Sequence, residues 1–400
     1  MIASRNQYSI IKRLLEDLDW NCEDQFHHHS SLSRIHWYPA SFITAIPGNL
    51  IDIFSDEGDV VWDPFCGSGI SAIESYRKGR RFYGNDICHI AIEITNAKIN
   101  AIRYRDELNI HLQKLTEKLK SIDLERNFGS NMSQYIDIGR HIAAYEELKP
   151  WYSENVFEQL LILLGALEEE LVSDFLKIIC KVIFINIAKI ACAQQKTWGH
   201  IADNVRPTAT QRSERQYQVI PNYIVRAEQI LERANRTHMV SNNGSVHAII
   251  ADSRIWSPPE PIDLVITSPP YPQMADYVTS QRLSYYWLGY DKEIIHNTKK
   301  DEIGARWQRH NSKKNDNYGK EIIKAFKNII SAIRPKGILA IMMPDFDSGD
   351  SRAKVINDVY DFLEINLTNF IKIRRHLNEH YRWAPFRKLK DEILSIWVKK

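Results

Sequence analysis

No stretch of this 400-residue chain is apolar for long enough to cross a bilayer. The most hydrophobic region, 155–193, is broken by Glu168, Glu169, Glu170, Lys177, Lys181 and Lys189, so no membrane partner is expected there. Near the N-terminus Arg5, Lys12 and Arg13 have no apolar run behind them, which argues against a secretory leader. Cysteine is scarce as well. Cys22, Cys66, Cys88, Cys180 and Cys192 are scattered and form no CxxC pair, which argues against a disulfide scaffold and suits a reduced, cytoplasmic setting. The run His27-His28-His29 near Cys22 lies in a polar segment and reads as a solvated loop, so no metal is expected. Internal repeats and low-complexity tracts are missing too. Net charge is only +2, so a polyanion partner cannot be argued from the total.

What is present is ordinary globular composition, 44% hydrophobic and 26% charged, at a length that buries a substantial core. The positive charge is unevenly spread. Between Asn297 and Lys320, Lys299, Lys300, Arg306, Arg309, Lys313, Lys314 and Lys320 outnumber Asp301, Glu302 and Asp316. From Ile371 onward come Lys372, Arg374, Arg375, Arg382, Arg387, Lys388 and Lys390. Such clusters serve either phosphate contacts or a solvated charged face.

The hydrophobic pattern divides the chain. A leading helix carries Ile10, Ile11, Leu14, Leu15 and Leu18. From Val60 the order becomes strand, glycine turn, helix, strand, which is the signature of a parallel α/β sheet. Between about Ile90 and Arg236 the apolar residues recur at helical spacing, as in Leu160, Leu161, Leu164, Leu167 and Leu171. Strands resume at Val246–Ile250, Leu264–Ile266 and Ile338–Met343. The segments Phe370–Ile373 and Ile393–Val398 are expected to pair antiparallel and close the sheet. The expected fold is therefore α/β, a Rossmann-like, mostly parallel sheet with an antiparallel C-terminal hairpin and a long helical insertion. Residues 1–105 and 240–400 would form the catalytic domain, and 106–239 the insertion. The segment between Pro272 and Lys320, rich in aromatic and basic residues, would be a second insertion.

Asp63-Pro64-Phe65-Cys66-Gly67-Ser68-Gly69 leaves a hydrophobic strand and opens a helix. Glycines there admit a ligand close to the backbone, facing the helix N-terminal N–H groups. The next strand ends in Asn85-Asp86, and an acid at that place accepts hydrogen bonds from ribose hydroxyls. Asp252-Ser253 ends the third strand, with a carboxylate able to accept from an adenine amino group. Three polar strand ends on one edge describe a nucleoside-binding crevice. The heptapeptide resembles the first cofactor motif of amino-methylating DNA methyltransferases, usually D-P-F-x-G-S-G. That resemblance implies S-adenosylmethionine as cofactor, bound over Asp63, Phe65, Gly67 and Gly69. Upstream, His36-Trp37-Tyr38-Pro39-Ala40 is similar to a segment that in those enzymes encloses the methionine end of the cofactor, which assigns His36 and Tyr38 to the same site.

A second motif, Thr267-Ser268-Pro269-Pro270-Tyr271, follows the buried strand Asp263–Ile266. Two prolines end strand pairing and stiffen the exit. An exocyclic amine of cytosine or adenine is a poor nucleophile, because its lone pair is delocalised into the ring. Fixed acceptors on both amino hydrogens, here Ser268 Oγ and the Pro269 carbonyl, would draw the nitrogen toward tetrahedral geometry. The ring of Tyr271 offers a stacking face for a base rotated out of the duplex. S-P-P-Y resembles the form common among cytosine-N4 methyltransferases, whereas adenine-N6 enzymes more often carry Asp or Asn in place of Ser268. Ser268, Pro269, Pro270 and Tyr271 are thus the catalytic candidates. Cytosine N4 in double-stranded DNA is the expected target, with a cognate restriction endonuclease as candidate partner. An adenine-N6 DNA enzyme is the nearest alternative, and an RNA guanine-N2 methyltransferase the next.

Arg282-Leu283-Ser284-Tyr285-Tyr286-Trp287 either flanks a DNA strand or forms an amphipathic helix burying Leu283, Tyr286 and Trp287. For base recognition the candidates are Gln194, Gln195, Gln211, Arg206, Arg212, Arg215 and Arg226, together with the basic loop 297–320. Tyr381 and Trp383, between the last two strands, are candidates to hold the extruded base.

Overall fold

The computed structural model describes residues 5–22, 32, 35–39, 42–127, 132–170, 173–194, 205–307, 312–377, 389 and 391–400. His27 to His29, Gln195, Arg309, Tyr381, Arg382, Trp383, Arg387, Lys388 and Lys390 lie outside them.

After helices α1 (Arg5–Asp17) and α2 (Ala45–Phe54) the alternating part begins. It consists of β1 (Val60–Asp63), α3 (Ile70–Arg77), β2 (Arg81–Asp86) and α4 (His89–Arg103). Among the described residues seven α-helices follow without a strand. They are α5 (Arg105–Asn127), α6 (Ser133–Ile142), α7 (Tyr145–Leu148), α8 (Glu154–Glu170), α9 (Asp174–Ala191), α10 (Ala209–Glu214) and α11 (Val219–Arg236). Then come β3 (Ser245–Ile250), β4 (Ile262–Thr267), the helices α12 (Tyr277–Ser280), α13 (Arg282–Trp287), α14 (Lys292–Asp301) and α15 (Ser312–Ala332), and β5 (Ile333–Asp345). The described chain ends with α16 (Ser351–Asn366), β6 (Leu367–His376) and β7 (Asp391–Lys399).

The strands form one sheet in the order β3-β2-β1-β4-β5-β7-β6. The first five are mutually parallel, and β7 runs antiparallel to both neighbours. The C-terminal pair therefore does close the sheet, but its second strand slots inside, between β5 and β6. Central strands buried on both faces read as continuous apolar runs, as Val60-Val61-Trp62 and Leu264-Val265-Ile266 do. Their side chains alternate between two cores. Val61, Leu264, Ile266, Ile338, Ala340 and Met342 face one of them, together with α4 and the long helices α5, α8, α9 and α11. Val60, Trp62, Val265, Leu339, Ile341 and Met343 face the other, under α15 and α16.

The strand order reverses beside β1: the chain moves outward through β2 and β3, then crosses to β4 on the other side. A topological switch point of this kind opens a crevice at the carboxyl ends of the strands. The loops after β1 and β4 flank it.

The aromatic segment 282–287 of the second insertion packs inward. Tyr285 and Trp287 are buried, and Trp287 packs on Tyr152, Phe157 and Phe184 with its indole N–H donating to the Tyr152 hydroxyl at 2.9 Å. Of the two readings of this segment the buried amphipathic helix holds, with Tyr285 taking the inward place expected of the half-buried Tyr286. Among the described helices none is long and apolar enough to cross a membrane.

Candidate functional site

The site is built on two loops that share buried partners. Asp63 ends β1 almost wholly buried. One carboxylate oxygen accepts from Ser71 Oγ at 2.5 Å, and the other accepts from the Phe65 N–H at 3.1 Å and Thr267 Oγ1 at 2.9 Å. Thr267 belongs to the β4 exit, so this one side chain ties the glycine turn to the proline turn. Burial pushes the Asp63 carboxyl up to about 6 against the pull of those three donors. Asn85 does similar work at the rim. Its Oδ1 accepts from Trp62 Nε1 at 2.9 Å, while its amide donates to the Pro64 carbonyl, the Ala251 carbonyl and Ser253 Oγ.

From beneath, α4 pins the glycine turn. Thr95 Oγ1 donates to the Gly67 carbonyl at 3.1 Å, and the buried ammonium of Lys98 donates to the Ser68 carbonyl at 2.5 Å. The turn requires its glycines. Gly69 sits at φ +74°, and a Cβ there would lie 2.5 Å from Thr95 Oγ1. Gly67, at φ +49°, would place a Cβ 3.2 Å from the ring of Tyr38. The first loop thus presents bare backbone to a cleft, with Tyr38 standing over it.

That cleft is lined by residues of both loops: Phe65 and Gly67 from the first, Ser268 and Pro270 from the second. Tyr38, Asp86 and Asp252 also line it. Asp86 accepts from the Gly67 N–H at 3.0 Å and the Cys88 N–H at 2.8 Å, and burial holds its carboxyl up at about 6. Asp252 is bracketed by Arg254, whose Nε lies 2.9 Å from both of its oxygens. Tyr38 stacks on Tyr277, ring centroids 5.9 Å apart. Residues that no local pattern singled out complete the wall: Ile87, Cys88, Asp301, Glu302 and Ile303. Glu302 accepts from the Val278 N–H at 2.9 Å, and burial pushes its carboxyl up to about 8. In sequence it looked like one acid in a basic loop. Only the return of the chain after α14 brings it to the cleft.

Other expected site residues stand behind the cleft wall. Asp63 is spent on internal hydrogen bonds, and Gly69 caps α3. His36 is buried, its Nδ1 2.6 Å from the Trp37 carbonyl, and burial drops it to about 3, so its ring is neutral. Pro269 is not among the lining residues. Tyr271 differs most from expectation. Its ring packs in the sheet core with Met274, Ile303 and Tyr318 instead of offering a stacking face, and only its hydroxyl reaches toward Ser268.

Most of the recognition candidates turn out to be tied to the framework. Arg212 donates to the Pro150 carbonyl, Arg215 to those of Ile190 and Ala191, Arg226 to that of Ile35, and Gln211 closes the capping box of α10. Arg206 remains exposed. At the C-terminal end Arg375 is buried against Glu392, and Arg374 pairs with Asp345 and Asp391. Among the described residues no cluster of His, Cys, Asp and Glu is arranged to hold a metal ion.

A family model described as DNA methylase matches residues 6–97. The Type II methyltransferase M.BsoBI of Geobacillus stearothermophilus is 24% identical over 307 residues, covering 67% of this chain and 55% of that protein. M.MvaI of Kocuria varians, also a Type II methyltransferase, is 24% identical over 297 residues, covering 68% of this chain and 60% of its own length. The chain thus spans little more than half the length of the curated relatives it matches. Among solved structures, the rRNA methyltransferase aviRa from Streptomyces viridochromogenes overlays loosely, with a TM-score of 0.34 and 11% identity over 91% of this chain and 88% of that one.

Proposed function

We propose that this protein is a DNA methyltransferase that moves a methyl group from S-adenosylmethionine to the exocyclic amine of an extruded base, with cytosine N4 as the target. The observation that carries the reading is the shared cleft, in which the bare backbone at Gly67 and the hydroxyl of Ser268 line one space. The matched DNA methylase family and the two Type II relatives support it.

The residues suit the cofactor. Gly67 leaves open the room that a Cβ would take beneath Tyr38, and Asp86 is an acid at the end of β2, where ribose hydroxyls are gripped in sheets of this kind. When bound, the cofactor supplies an electrophilic methyl on a positively charged sulfur. Asp86 holds the ribose, Phe65 and Tyr38 cover the turn, and His36, neutral and buried, supports the segment that carries Tyr38. Asp63 acts by binding the two loops together. Ser268, which lines the cleft, accepts one amine hydrogen and so helps to point the nitrogen lone pair into the cleft. Such alignment alone lowers a barrier by ~7–11 kcal/mol, so no covalent enzyme intermediate is required.

Residues 1–105 and 240–400 form the catalytic domain in this reading, and 106–239 the helical insertion. Serine at position 268, where adenine enzymes more often carry Asp or Asn, favours cytosine. The protein would act in the cytoplasm within a restriction-modification system, beside an endonuclease of matching specificity, a role that the Type II names of its relatives favour. Incubation with labelled S-adenosylmethionine and duplex DNA, followed by mass analysis of nucleosides, should yield N4-methylcytosine. Recovery of N6-methyladenine would reassign the base, and label confined to guanine of tRNA would sink the DNA reading.

A further inference from the structure

The reversed strand β7 sends a carboxylate to the same rim as the proline turn. Glu392, the second residue of β7, pairs in register with Pro344 near the end of β5. Its Oε1 accepts from the Tyr271 hydroxyl at 2.7 Å, and its Oε2 accepts from Arg375 Nη1 at 2.5 Å. Arg375 is buried and donates through Nε to the Trp20 carbonyl at 2.9 Å. At the other end, Ser268 Oγ lies 3.4 Å from the Tyr271 hydroxyl oxygen.

We propose that Glu392 is a positioning residue which, through Tyr271, turns the hydroxyl of Ser268 into a hydrogen-bond acceptor toward the incoming amine. The inference rests on the methyltransferase reading and deepens it. The reasoning is a count of protons. A hydroxyl has one proton and two lone pairs, whereas a carboxylate only accepts. Tyr271 has committed its single proton to Glu392, so toward Ser268 it presents a lone pair. The Ser268 proton is drawn to that lone pair, and the lone pairs of Ser268 are left facing the cleft. An exocyclic amine brings hydrogens and needs acceptors. A serine free to rotate would spend part of its time presenting its proton instead. Arg375 pairs with Glu392, and burial together with Glu392 keeps the Tyr271 phenol well above its ordinary value, hence protonated. The Ser268–Tyr271 contact is the long member of the chain, and contacts of this kind tighten when substrate fills the site.

The test compares single-turnover methyl transfer to duplex DNA by wild type, Tyr271→Phe, Glu392→Gln and the double variant. In Glu392→Gln the amide carbonyl turns to Arg375, its NH2 faces Tyr271, and the polarity of the whole chain reverses. Tyr271→Phe and Glu392→Gln should each slow transfer by about 10-fold to 100-fold, the worth of a hydrogen bond to a charged group, with cofactor and DNA affinities unchanged. The double variant should be no slower than Tyr271→Phe alone, because Glu392 acts only through the phenol. Glu392→Asp, which keeps the carboxylate, should recover part of the rate. If Glu392→Gln does not fold, Tyr271→Phe and Glu392→Asp carry the comparison. Additive losses in the double variant, or single variants as fast as wild type, would overturn the relay and leave the methyltransferase reading standing. A wild type that transfers no methyl to DNA would overturn both.

Discussion

In the proposed mechanism Ser268 is the residue on which the chemistry turns, and replacing it would separate chemistry from binding. Ser268→Ala removes one acceptor from the amine and touches nothing in the glycine turn. Turnover should fall by about 100-fold or more, as when one preorganised polar group is lost from an active site, while the dissociation constant for S-adenosylmethionine stays near wild type. Unchanged turnover would refute the role. Acidity at the cleft makes a second prediction. Asp63 and Asp86 start from an ordinary 3.8 and are each raised by burial to about 6, so between those values the fold keeps protons that the unfolded chain has released. Stability of the ligand-free protein should therefore fall as pH rises from about 4 to about 6. Cofactor affinity should move the opposite way. A cation held beside Asp86 favours the ionised carboxyl, so binding weakens as pH drops below about 6. Calorimetric titration across that window reads the slope, which Asp86→Asn should flatten.

At the scale of elements, the helices that interrupt the sheet are held by contacts too close for ordinary side chains. A Cβ on Gly139 of α6 would lie 2.2 Å from the Leu161 carbonyl oxygen, and one on Gly165 of α8 would lie 2.1 Å from that of Tyr135. The two helices thus meet backbone to backbone at two points one helical turn apart. Gly165→Ala should cost about 1–3 kcal/mol, the usual range for overpacking, because the obstacle is main chain and cannot rotate away. Urea denaturation would measure it, and a variant as stable as wild type would show that the helices can part without penalty. β7 illustrates the same scale in the sheet. Its reversed direction places Glu392 at the functional rim, where a parallel strand would have placed its other end.

For the whole molecule the question is whether the insertion is a separable module. One continuous core runs from Val61, Leu264 and Ile266 in the sheet, through Ile94 of α4, to Leu161 of α8, Ile183 of α9 and Tyr223 of α11. Trp287, from the second insertion, is packed into the first by Phe157 and Phe184. Excising 106–239 would expose that whole face of α4 and α13 to water. The protein should melt in a single transition, and a variant joining 105 to 240 should fail to fold. Two calorimetric transitions, or a folded excision variant, would show that the insertion is an independent domain.

How much of this was legible beforehand follows from the range of the forces involved. The sheet segments, the helical stretch and both loop motifs are local: alternation, helical spacing, Gly67 and Gly69 at positive φ and the paired prolines each act within a few residues. By itself, then, the sequence determined the fold class, the order of elements and the two turns. Long-range burial decided what those residues do. Asp63 resembled a cofactor ligand until Thr267, 204 positions away, claimed its carboxylate. The Tyr271 ring looked available for stacking until the sheet core took it and Glu392, 121 positions on, took its hydroxyl. Buried polar groups must find partners or lose several kcal/mol, and the tertiary structure alone determines which partners arrive.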